Sequence, residues 1–410
     1  MRRNQKILLI IVLILAAAAV TFGIVKTVEQ RSERATETAV EEAPAESEPE
    51  SETKSNTNTQ PLATLFFASD YQEEPGFDEP AVNLRKILAA AGADGKSIDG
   101  LVYCGDYTND RLLYDYQMSP DESIGEIREV ALAECPDLSE EAGDEGMLFV
   151  QGNHDMLTDE IAASGLHEYD DYLVYILNTE EDFPWKQGKT AGCLAKVEAS
   201  SAAMKDCFDK LIQDGETRPV FIAGHVPLHF TARTSSRHST GDNLYSSLIF
   251  DVVNEAAESL DIFYLFGHNH SKGWDCYMGG SSVYRAKGDQ ILIPEFGEGD
   301  VNSDEYSEET LSFTYLNAGY TGYYMNCGTA ELDAGTAGQY HAADETLTGT
   351  VFEIYEDKAV ITRYDAGGMH VLGHAGEADP YKGGIDSGLI AEEAYGSETK
   401  SPQEILRRYH

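Results

Sequence analysis

Five short segments hold the residues with the most chemical potential. They are Asp70-Tyr71-Gln72, Gly105-Asp106, Gly152-Asn153-His154-Asp155, Gly224-His225 and Gly267-His268-Asn269-His270. Four of the chain's eleven histidines lie in them. Each segment offers a carboxylate, an amide or an imidazole. Together these form a mixed oxygen and nitrogen donor set, which suits divalent ions of intermediate hardness such as Mn, Fe or Zn and not a purely oxygen-loving calcium site.

Each segment follows an apolar run: Leu62 to Ser69, Leu101-Val102-Tyr103, Met147-Leu148-Phe149-Val150, Val220-Phe221-Ile222-Ala223 and Ile262-Phe263-Tyr264-Leu265-Phe266. These runs read as buried strands. Helical spacing separates them. Leu84, Ile87, Leu88 and Ala91 share one helix face, as do Met204, Phe208, Leu211 and Ile212, which end near Gly215. Leu244, Leu248, Val252 and Ala256 mark another helix. Ser119-Pro120-Asp121-Glu122 is a helix start, with Ser119 as cap and Glu122 three residues on, and it opens a helix carrying Ile124, Ile127 and Ala131. From Gln290 the signals turn mostly to strand: Ile291 to Ile293, Leu311 to Leu316, Val351 to Tyr355 and Ala359 to Arg363, with Glu356-Asp357-Lys358 as a hairpin turn. Alternating strands and helices predict an α/β fold with mostly parallel pairing. The strand carboxyl ends then line one edge, where ligands bind.

The order of the segments, FFASDYQ, VYCGD, FVQGNHD, FIAGHVP and YLFGHNH, resembles the calcineurin-like metallophosphoesterases, which read D-x-H, GD, GNH[DE], GH and GHxH. The likeness runs from about Leu62 to Asp365. It implies an α/β fold of two packed mixed β-sheets flanked by helices, and two divalent metal ions. Asp70, Gln72, Asp106 and His270 would surround the first ion; Asp106, Asn153, His225 and His268 would surround the second. Asp106 would bridge them. A metal-bound hydroxide would attack a phosphoester, mono- or diester, in line. His154 would protonate the leaving oxygen, with Asp155 orienting it. Gln72 stands where the family pattern has His. An amide oxygen is a weaker donor to borderline metals, so the first site is expected to be looser. A catalytically weak phosphate-binding or sensing protein is the other reading that Gln72 favours.

After His225 come His229, Arg233, Arg237 and His238, a local excess of cationic residues in an acidic chain. Arg grips phosphate with paired donors, so His229, Arg233 and Arg237 are candidate substrate contacts; an ordinary solvated loop is the alternative. The formal net charge of −43 argues against nucleic acid as a partner.

The basic start Met1 to Lys6 precedes an apolar run, Ile7 to Val25, long enough to cross a bilayer. Positive charge before the run places the rest of the chain outside the cytoplasm. The expected organisation is a membrane anchor over 1–26, an acidic tether over 27–60, a phosphoesterase domain over 61–372 and a tail over 373–410. Cleavage near Ala16 to Ala19 would instead give a secreted protein. The six cysteines form no CxxC pair, so a thiolate zinc site is not expected. Cys193 and Cys207 are the first candidates for a disulfide.

Overall fold

The computed structural model describes residues 60–72, 79–108, 119–138, 146–182, 191–229, 245–268, 284–294, 306–322, 347–366 and 388–396. The expected anchor and tether, His270, Arg233, Arg237 and His238 lie outside them. Among the described residues, no helix is long and apolar enough to cross a membrane.

Among the described residues, fifteen strands follow in chain order: β1 (Ala63–Ala68), β2 (Gly100–Tyr103), β3 (Met147–Phe149), β4 (Gly165–Glu168), β5 (Leu173–Leu177), β6 (Val220–Gly224), β7 (Ile262–Phe266), β8 (Tyr284–Arg285), β9 (Gln290–Pro294), β10 (Tyr306–Thr310), β11 (Thr314–Asn317), β12 (Gly319–Tyr320), β13 (Thr348–Ile354), β14 (Lys358–Asp365) and β15 (Gly388–Ala394). Between them lie the helices α1 (Glu79–Ala93), α2 (Pro120–Glu134), α3 (Ala191–Asp214) and α4 (Ser246–Ala256).

The strands build two large mixed sheets. One runs β15-β14-β13-β1-β2-β3, with β12 added beside β13; the other runs β4-β5-β6-β7-β11-β8. Pairing is parallel where helices connect strands, as in β1-β2-β3 and β5-β6-β7. It turns antiparallel where the chain doubles back, as at the β13–β14 hairpin. Two of the first sheet's six pairings are parallel, fewer than the mostly parallel pairing expected; at β13–β14 a three-residue turn is too short for a crossover.

Alternation within strands sorts residues between layers. Leu65 and Phe67 of β1 face the other sheet, where they join Val102, Val174, Phe221, Phe263 and Leu265 in one core. Phe66 and Ala68 face outward onto Leu84, Ile87, Ile124 and Ile127 of α1 and α2. Tyr175, Ile222 and Tyr264 pack likewise against Met204, Phe208, Ile249 and Val253 of α3 and α4. Between the sheets, Phe221 stacks on Phe67 and Phe263 at 5.3 and 5.2 Å and meets Phe352 edge-on at 5.1 Å. Each such ring contributes about 1.5–3 kcal/mol by burial.

The cap expected at Ser119 is present. Asp121 N donates to Ser119 Oγ, and Ser119 N donates to Glu122 at 3.1 Å. Two expectations need correction. Cys193 and Cys207 are free thiols. Both sit on α3, fourteen residues or about 21 Å apart along the axis, beyond any disulfide. Within the stretch assigned to the tail, β15 pairs with β14 and extends the first sheet.

Candidate metal centre

All five motifs reach the carboxyl ends of their strands at one rim. Asp70 and Gln72 follow β1, Asp106 follows β2, Asn153 and His154 follow β3, His225 follows β6 and His268 follows β7. The first three groups come from one sheet and the last two from the other.

The local backbone is unusual. Asp70, Gln72, Asp106 and His268 have φ of 52°, 47°, 59° and 64°, and no other described non-glycine residue has positive φ. This left-handed conformation costs side-chain-bearing residues roughly 1–2 kcal/mol each. Each turn redirects a side chain that would otherwise continue the strand's alternation. The motif glycines permit the close approach. A Cβ on Gly152 would collide with Asp106 N and Oδ1, and one on Gly267 would lie 2.8 Å from Asp70 Oδ2.

Four donor atoms converge. His225 Nε2 lies 3.0 Å from Asn153 Oδ1 and 3.2 Å from Asp106 Oδ2. His268 Nδ1 lies 2.6 Å from the same Asn153 oxygen. Asp106, His225 and His268 are all buried, with ligand atoms within 4.8 Å of one another. Adjacent ligands on an ion bound at about 2.1 Å stand roughly 3 Å apart, so the spacing fits a divalent metal. A buried oxygen also fits a cation: among the described residues, Gln72 Oε1 accepts no hydrogen bond. Gln72 is 1 % exposed, so its amide oxygen is shielded from water.

Neighbouring groups hold these ligands. His225 Nδ1 meets Cys104 O at 2.7 Å, which leaves Nε2 toward the cluster. Asp70 Oδ2 accepts from His268 N at 3.0 Å and meets Ser69 Oγ at 2.6 Å. Burial works against charge at His225, but the facing Asp106 carboxylate outweighs it and raises the imidazole to about 9. Burial would likewise raise Asp106, yet His225 and His154 hold it below the usual carboxylate range.

His154 stands at the mouth. Its side chain is 19 % exposed, against 0 % for His225, and its Nε2 is 3.8 Å from Asp106 Oδ2. Asp155 does something other than orient it. The Asp155 carboxylate accepts from the backbone of Gly152, Asp106 and Tyr107 at 2.7, 2.8 and 2.8 Å. It thereby ties the Asp106 loop to the Asn153 loop. Burial and the Asp106 charge push it up to about 7, against the pull of those amides.

His229 is held by its neighbours. It is fully buried, with Nδ1 2.7 Å from the Tyr315 hydroxyl and its ring edge-on to Phe266. Burial, then the nearby cations, lower it to about 3. The Tyr315 hydroxyl and the Phe266 ring fix its position beside the end of β7. Sequence reasoning missed Ser69 and Tyr315 as supports. Tyr315 gave no signal beyond its place in an apolar strand, whereas Ser69 immediately precedes a ligand.

No protein-family model matches the sequence, and no curated protein matches it. Solved structures do. A dimetal phosphatase from Danio rerio is 10 % identical, with 75 % of this chain and 97 % of that chain covered and a TM-score of 0.41. GAP50 of Plasmodium, described as the anchor in the inner membrane complex, is 12 % identical, with coverage of 74 % and 85 % and a TM-score of 0.36. A 5'-nucleotidase precursor from Thermus thermophilus is 9 % identical, with coverage of 81 % and 53 % and a TM-score of 0.31. At these values the likenesses carry no weight for function; strand order and motif placement carry the fold. Two mixed sheets flanked by helix pairs, with the described motif residues gathered at one rim, are the α/β architecture that the motif order led us to expect.

Proposed function

We propose that the protein is a metal-dependent phosphoester hydrolase acting on phosphate mono- or diesters. The observation that carries this reading is the convergence of Asp106, Asn153, His225 and His268, with His154 beside them at the mouth. Asp106, Asn153, His225 and His268 would hold one divalent ion; Asp70, Gln72 and Asp106, with His270 by family resemblance, would hold another. Such a pair supplies Lewis acidity and a water acidified to near neutrality.

The chain's own residues do the rest. His154 reaches solvent and would deliver a proton to the leaving oxygen. The Asp155 clamp holds the Asp106 and Asn153 loops in register. Arg233 and Arg237 remain the proposed phosphate contacts, on the chemistry of their guanidinium groups. The proposed setting is the outer side of a membrane, with the 7–25 apolar run as anchor, or release into the medium after cleavage.

The test is hydrolysis of a panel of chromogenic phosphomonoesters and phosphodiesters by metal-stripped protein, with Mn added back. Turnover that appears with Mn and vanishes in Asp106→Ala supports the reading. Metal and phosphate binding without turnover would favour the binding or sensing role that Gln72 suggests. Protease applied to intact cells tests the topology: release of a soluble domain is expected, and a full-length chain that resists until lysis would contradict it.

A further inference from the structure

Arg363 is the largest fully buried side chain of the described residues, 2 % exposed, on β14, the strand beside the β15 edge of the first sheet. Among the described residues its partners are all neutral. Nε donates to Thr348 Oγ1 at 3.0 Å, and Nη1 donates to Asn317 O at 2.7 Å and to Thr350 Oγ1 at 3.2 Å. Nη2 donates to Asn317 Oδ1 at 3.3 Å. A buried cation without a carboxylate is unfavourable for stability alone. What it gains is geometry: a planar fork fixes several acceptors at once, which an ammonium cannot do.

Those acceptors converge on residues 317–321, the crossover from β11 of the second sheet to β12 of the first. Thr350 Oγ1, itself held by Arg363, donates to Ala318 O at 2.9 Å. Asn317 Oδ1 also accepts from Gly319 N at 3.0 Å. The crossover is bonded in turn to the ends of β1 and β7, two of the five strands that lead to the motifs. Ala318 N donates to Phe266 O at 2.8 Å, two residues before His268. Thr321 N donates to Ser69 O at 3.2 Å, and Ser69 Oγ bonds Gly319 O while meeting Asp70 Oδ2. A series of close polar contacts, passing through the Gly319 peptide and the Ser69 hydroxyl, therefore leads from Arg363 to the Asp70 carboxylate.

We infer that Arg363 is a positioning residue for the metal centre: through the 317–321 crossover and Ser69 it sets the place of Asp70 and of the His268 turn. The inference rests on the metal-centre reading proposed above. Partners one step behind a ligand typically change metal affinity by about 10–100-fold when removed.

The test is calorimetric Mn titration of metal-stripped wild type, Ser69→Ala, Arg363→Lys and Arg363→Met. Ser69→Ala, which removes a group touching Asp70 itself, is expected to weaken Mn by about 10–100-fold. Arg363→Met should act in the same direction by a smaller factor, and Arg363→Lys by less again. A second readout separates positioning from stability. In each variant the rise in Tm produced by saturating Mn should shrink. A purely structural role would lower Tm equally with and without Mn and leave affinity unchanged. Wild-type Mn affinity in folded Ser69→Ala and Arg363→Lys would overturn the inference, even if Arg363→Met fails to fold. A wild type that binds no Mn would overturn the metal-centre reading and this inference with it.

Discussion

The two halves of the rim are built differently. Around Asp106, Asn153, His225 and His268 the donors already touch one another, and His225 is oriented by the Cys104 carbonyl. Around Gln72 the donors are oxygens, and among the described residues the buried Gln72 amide oxygen accepts no hydrogen bond. The first half is rich in nitrogen and its side chains contact one another. The second is richer in oxygen. The difference teaches that a shared fold does not dictate equal sites: one side-chain substitution on a fixed backbone changes donor softness by itself. Unequal filling by metal is the expected consequence.

The largest test removes what the two halves share. Asp106→Ala is expected to abolish metal binding and turnover together, read by metal analysis of the purified variant. Retention of one tightly bound ion would mean that the halves do not depend on a common bridge.

Next comes His154, which belongs to neither ligand set. His154→Ala should lower turnover by about 10²–10⁴-fold for poor leaving groups and much less for good ones. A uniform loss along a leaving-group series would remove it from the acid role and point to its contact with Asp106 instead.

The nitrogen-rich half should compete with protons. His225 is raised to about 9, and an ion requires the neutral ring. Below that pH, Mn affinity for metal-stripped protein should rise with pH, up to about tenfold per unit for a single released proton, and then level off. The stability of the metal-free protein should run the other way. The His225–Asp106 attraction contributes fully below the unfolded value of 6.5 and is lost as pH rises through about 9. Titration calorimetry at a series of pH values, paired with thermal melts, checks both signs.

The smallest effect is expected at Gln72. Gln72→His should tighten the weaker of two Mn binding steps and flatten the dependence of turnover on added Mn. Two equally tight steps in the wild type, unmoved by the substitution, would erase the contrast between the halves.

Much of this was legible in the residues. Apolar runs located β1, β2, β3, β6 and β7, because strands buried on both faces read as continuous hydrophobic segments. The motif order placed Asp106, Asn153, His225 and His268 together. The Ser119 cap was visible because both its bonds are local. What was hidden depends on distant partners. β15 carries Glu392 and Glu393 and looked like a polar tail; Glu393 is buried because the Tyr284 and Thr314 hydroxyls, from the other sheet, satisfy it. The contacts of His229 with Tyr315 and Phe266 come from other strands and left no local signal. Asp155 looked like a partner for its neighbour, whereas its carboxylate serves three main-chain amides. Arg363 offered no sequence signal, since neutral acceptors from neighbouring strands make its environment.

The four left-handed residues have a consequence for anyone who would engineer this protein. Asp70, Gln72, Asp106 and His268 occupy a conformation that glycine adopts freely. A library selected on heat resistance alone places no demand on these side chains, since glycine would relieve about 1 kcal/mol of backbone strain at each and the loss of a ligand would go unread. Whether a variant gains or loses stability there depends on the hydrogen bonds its side chain gives up, as at Asp70 and Asp106. Directed evolution of this scaffold therefore needs a selection for bound metal or for turnover running beside the selection for stability, since the two objectives part company at the very residues that define the rim.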